Sequence, residues 1–63
     1  MKDVLEYLAQ KIQEDRLRMV EDLGEGKAKD HAEYKFSCGV VKGLLMANNH
    51  ILELTERLEK SDE

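Results

Sequence analysis

Proline and tryptophan are missing from this 63-residue chain, cysteine occurs once, at Cys38, and the aromatic residues end with Tyr7, Tyr34 and Phe36. Each shortage excludes something. A lone cysteine cannot close an internal disulfide, so the chain is not a small secreted scaffold held by bridges. Without proline, glycine is the only strong helix breaker left. No apolar run approaches the length of a membrane span, and charges interrupt the opening MKDVLEYLAQKIQED wherever a signal peptide would need its apolar core. The expectation is a soluble chain. Charge of one sign is also lacking: the net charge is −4, with acidic and basic residues interspersed, which argues against broad binding to a phosphate backbone. Aromatic pairs for stacking bases and glycine-rich phosphate loops do not occur, so a nucleic-acid partner is not expected.

A domain this small hides only about 60% of the surface of its unfolded chain, and it usually needs a disulfide, a metal or a partner. What the chain does have is 38% charged residues among many Leu, Glu, Lys and Ala, a composition that favours long helices. Leu5, Leu8, Ile12, Met19 and Leu23 recur at helical steps, with Arg16 in the place between Ile12 and Met19, so a helix is expected over about 3–23. In GEGKAKD, Gly24 can end that helix in the left-handed conformation, Gly26 loosens the turn, and Asp30 with Glu33 forms a variant capping box. A second helix is expected over about 31–60, with residues 61–63 as a frayed tail.

The fold class that follows is all-α: one domain, residues 1–63, folded as an antiparallel helical hairpin that assembles with other copies as a coiled-coil-like bundle. With a turn centred near Gly26 and Lys27, Leu23 would lie opposite Asp30, Ile12 opposite Val41 and Leu5 opposite Asn48. Beyond about Leu52 the second helix would then lack an intrachain neighbour, leaving Leu54 and Leu58 to be covered by another chain. Around the second helix, Val40, Val41, Leu44, Ile51 and Leu58 form the centre of an apolar arc, with Phe36 and Leu54 on one flank and Tyr34, Leu45 and Leu52 on the other. That arc is wider than one partner helix can cover, so a homodimer or higher oligomer is expected.

Gly39 and Gly43 sit inside this helix, each at a cost of about 1 kcal/mol relative to alanine. With Ala47 they make a stripe of small residues that lets a second backbone come close, either the chain's own first helix, through Tyr7 or Leu17, or a neighbour's. The expected interface is Gly39, Val40, Gly43, Leu44, Ala47, Ile51, Leu54 and Leu58. Asn48 falls within the arc, either as a buried amide that fixes register or as a partly exposed one. Arg16 is expected to bury its stem and keep its head in water. His31 and Cys38 are too far apart, and too few, to hold a metal or to activate a thiol. Lys27, Lys29, Lys35 and Lys42 are the one basic concentration, mixed with Glu25, Asp30 and Glu33. No acid, base and nucleophile converge, so neither an enzyme nor a cofactor is expected.

The run from Lys29 to Glu59, with Ala32, Glu33, Tyr34 and Lys35 followed by Cys38, Gly39, Val40, Val41, Lys42, Gly43 and Leu44, resembles a group of short, uncharacterised proteins of tailed bacteriophages. The resemblance covers about half the chain. It implies a phage origin and a place in the host cell cytoplasm or the virion. Its functional expectation is a virion structural or assembly component, or alternatively an accessory factor that binds a host or phage protein. No active-site residues come with it.

Overall fold

Two helices, α1 (Lys2–Gly24) and α2 (His31–Ser61), make up the computed structural model, which describes residues 2–61. They pack against each other as the expected antiparallel hairpin, an elongated body of 51 × 15 × 13 Å. Ser61, placed by the sequence in the frayed tail, is the last residue of α2; residues 62 and 63 of that tail lie outside the described residues.

The ends of the helices follow from local hydrogen bonding. Asp30 caps α2: its Oδ1 accepts from the Glu33 backbone N–H at 2.8 Å, which satisfies one of the free donors of the first turn. Glu33 reaches back to the Lys29 N–H rather than to that of Asp30, at 3.4 Å, so only half of the capping box closes well. At the other helix the left-handed residue is Gly26, with φ 76°, and not Gly24. The Lys27 N–H bonds to the Asp22 carbonyl and the Gly26 N–H to the Leu23 carbonyl, both at 3.1 Å. This is the Schellman pattern, and it carries helical turning past Gly24 before it stops. Lys27 Nζ also meets Asp22 Oδ1 at 3.2 Å, so an ion pair occupies the place where an apolar contact commonly closes such a cap.

The seam between the helices alternates steps of four and three. It takes Leu5, Ala9, Ile12, Arg16, Met19 and Leu23 from α1, and Ser37, Val41, Leu44, Asn48, Ile51, Thr55 and Leu58 from α2; all of these are at least half-buried. That alternation is a heptad spacing. It replaces Leu8 of the expected stripe with Ala9: Leu8 lies on the side of α1, while Ala9 is 6% exposed and, among the described residues, is the only apolar one fully inside. Asn48 and Thr55 are the other two buried positions among the described residues, 7% and 8% exposed. Thr55 tolerates burial because its hydroxyl donates to the Ile51 carbonyl at 2.9 Å.

The register differs from the expected one. Lys2 Nζ meets Glu59 Oε1 at 2.5 Å, and at the other end Met19, Asp22 and Leu23 line a cleft with Glu33 and Ser37. These anchors slide α2 by about two helical turns relative to a tight turn at Gly26 and Lys27. The cause is the connection, which runs on past Lys27 without helical structure as far as Asp30. The overhang therefore moves to the start of α2, where His31 to Phe36 are all exposed. Leu58, expected to lack an intrachain neighbour, is half-buried in the seam, and only Leu54 of the pair stays exposed.

Candidate interaction surfaces

A two-helix hairpin has one seam and two open flanks, and here each flank has its own landmark. On one side Asp22 and Glu33 share the cleft already described. Heptad steps from those carboxylates lead to Asp15 and Leu8 on α1, and to Val40, Ala47 and Leu54 on α2. Phe36, Gly43 and Gly39 lie further round α2 in the same direction. This glycine flank holds five of the eight expected interface residues: Gly39, Val40, Gly43, Ala47 and Leu54. The other three, Leu44, Ile51 and Leu58, face α1 in the seam.

The glycine stripe does not receive α1. A Cβ placed on Gly39 or Gly43 would meet no atom within 4 Å, and Tyr7 and Leu17 are themselves exposed. Of the two close approaches offered by the sequence, the one within the chain is absent. The α1 edge of this flank is polar: Arg18 Nη2 meets Asp15 Oδ1 at 2.5 Å, and Lys27 meets Asp22.

The opposite side is marked by Lys2, which reaches both Glu6 and Glu59, at 3.9 and 2.5 Å. Heptad steps from these glutamates run through Gln13 and Val20 on α1, and through Leu52, Leu45 and Cys38 on α2. Leu17 and Tyr34 border the same strip. Leu17, Val20, Tyr34, Leu45 and Leu52 all remain exposed. The periodicity of α2 alone groups Tyr34, Leu45 and Leu52, and the hairpin adds Val20 of α1 to them. The signal was present in the offset of Val20 from the main stripe of α1.

The polar candidates resolve individually. Asn48 is buried rather than partly exposed, and its Oδ1 accepts no hydrogen bond. In the observed register it stands level with Gln13, whose Oε1 accepts from Arg16 Nε at 3.2 Å. Arg16 is half-buried, in keeping with an apolar stem under a polar head. His31 stacks against Tyr34, with centroids 6.4 Å apart, and stands about 10 Å along the helix from Cys38. The Cys38 thiol, one turn beyond Tyr34, acts by hydrogen bonding to raise the phenol pKa above its ordinary value. His50 shares an outer hollow of α2 with Glu53, Leu54 and Arg57. Lys27 is engaged with Asp22, while Lys29, Lys35 and Lys42 are exposed.

Among the described residues, no three His, Cys, Asp or Glu side chains are grouped to hold a metal ion, and no helix is long and apolar enough to cross a membrane. Compared with family models, with curated proteins and with solved structures, the chain matches none.

Proposed function

We propose that this chain is a non-catalytic protein–protein interaction module that works as an oligomer, and that it serves as a structural or assembly component of a phage particle. The observation that carries the interaction role is the balance between seam and flanks. No large side chain is fully buried among the described residues, while eleven large apolar side chains stay exposed. A hairpin of this kind gains little from folding alone and gains more by covering its flanks. The resemblance of the α2 segment to short phage proteins supports the particle role. The glycine flank suits docking of a different phage protein, because Gly39 and Gly43 present bare backbone beside Phe36 and Leu54. A role as an accessory factor that binds a host or phage protein inside the cell is the second reading, and the same flank would serve it.

Equilibrium sedimentation at micromolar concentration tests the oligomer, and a folded monomer would overturn it. Mass spectrometry of purified particles separates the two roles: the chain is expected in the particle, and its absence there would favour the accessory role.

A further inference from the structure

We infer that the aliphatic flank, and not the glycine flank, binds a second copy of this chain. In the pair, α2 packs antiparallel on α2 of the other copy about a two-fold axis near Asn48 and Asn49, with Leu45 of each chain against Leu52 of the other. This rests on the reading that the chain self-associates, and it specifies the surface and the geometry.

Three observations lead there. The first is area. The hairpin exposes 5068 Å², whereas a compact protein of 7.3 kDa exposes roughly 4,200 Å². The excess is close to the ~800 Å² per partner that a standard interface covers. One flank on one flank is therefore enough to bring the surface each chain exposes down to about that of a compact monomer of its mass.

The second is the choice of flank. Covering the glycine flank would take the Asp15–Arg18 and Asp22–Lys27 pairs out of water along its α1 edge, and desolvating ion pairs is costly. The aliphatic flank instead offers Gln13 and Val20 from α1 beside Leu45, Leu52 and the half-buried Cys38 from α2. Its ion pairs, from Lys2 to Glu6 and Glu59, stand at one end, and its other charges lie along the outer border of α2.

The third is what those charges are. Along the outer border of this flank, Lys35 and Lys42 lie in the first half of α2 and Glu56 in the second, all exposed, while Glu59 is held by Lys2 of its own chain. An antiparallel partner sets Lys42 opposite Glu56, twice over by symmetry. A copy with its loop at the same end would lay lysines beside lysines. The two-fold that matches these charges is also the one that matches Leu45 to Leu52, since both pairs are centred on the same turn of α2. Such an interface is self-complementary, as a closed dimer requires.

Sedimentation equilibrium with circular dichroism tests this on the full chain. The wild type is expected as a dimer, and the double variant Leu45→Ser, Leu52→Ser is expected to weaken dimerisation by about 100-fold or more. Gly43→Leu should leave the mass unchanged. If the serine variant does not fold, the charges decide: Lys42→Glu alone and Glu56→Lys alone should each weaken the dimer several-fold at low salt, and the two together should restore it. A dimer that ignores the leucine and charge variants but dissociates in Gly43→Leu would overturn this inference while leaving self-association standing. A folded wild-type monomer would overturn both.

Discussion

The two flanks of the hairpin contain similar leucines in different surroundings. Leu45 on the aliphatic flank is 42% exposed and Leu54 on the glycine flank is 46% exposed, so neither number alone distinguishes a binding surface from a solvated one. The neighbours do. Leu45 follows the same line as Leu52 and Cys38, and across the seam it has Gln13 and Val20. Leu54 follows Ala47 and Val40 on a side whose α1 edge is tied up in ion pairs. An exposed leucine becomes informative only when the residues a heptad away, and those across the seam, agree with it.

The largest expected effect comes from breaking that comparison directly. Leu45→Ala should lower the stability of the dimer by about 2 kcal/mol per chain, in the lower range for losing a buried leucine. Leu54→Ala should change it by less than about 0.5 kcal/mol, as for an ordinary surface substitution. Urea titrations at two protein concentrations measure both. Equal losses from the two variants would erase the distinction between the flanks.

Much of this hairpin was legible in the sequence, because helix periodicity and capping are local. The two helices, the break between them and the Asp30 cap could all be read from apolar spacing and from one short polar run. Register was not, because it depends on how far the connection runs before α2 begins. The segment after Lys27 stays non-helical to Asp30, and this shift brought Leu58 under α1. The seam differs at Ala9 for a related reason: large apolar side chains point to Leu8, whereas the alternating step selects the smaller neighbour. Thr55 is hidden likewise, since its place in the seam is set by spacing and not by hydropathy, whereas Asn48 already falls within the apolar arc and only its burial is left open by the sequence. The glycine stripe was visible in the sequence, but which helix would approach it was not. The structure removes α1 from that choice.

A smaller effect sharpens the glycine side. Gly39 and Gly43 are helical and have open space where a Cβ would stand. Gly39→Ala and Gly43→Ala should therefore each stabilise the purified protein by about 1 kcal/mol. Gly26→Ala should do the reverse by about 1 kcal/mol, because φ 76° there places any side chain in the left-handed region. Thermal melts of the three variants check the signs. A loss of stability in Gly39→Ala or Gly43→Ala would mean that another backbone already occupies the stripe in the purified protein.

The smallest expected effect lies at the end of the aliphatic flank, where Glu59 raises the pKa of Lys2 above its ordinary value, first by hydrogen bonding and then by charge attraction. The sign follows from linkage. A lysine held more strongly protonated in the folded state contributes its full stabilisation below the unfolded pKa, near 10.4, and loses it as pH rises through the higher folded value. Tyr34, raised by the Cys38 hydrogen bond, acts in the same direction, because the folded state again holds the proton more tightly. Stability should thus be insensitive to these two groups at neutral pH and fall in alkali. Lys2→Met should flatten part of that fall and Tyr34→Phe another part. Since both side chains are open to solvent, salt should weaken both shares, because the charge interaction with Glu59 in one case and with the Cys38 thiolate in the other is screened. Melts of the two variants between pH 8 and 11 separate the two contributions. An alkaline fall that persists unchanged in Lys2→Met would mean that the tie to Glu59 does not hold the end of this flank in solution.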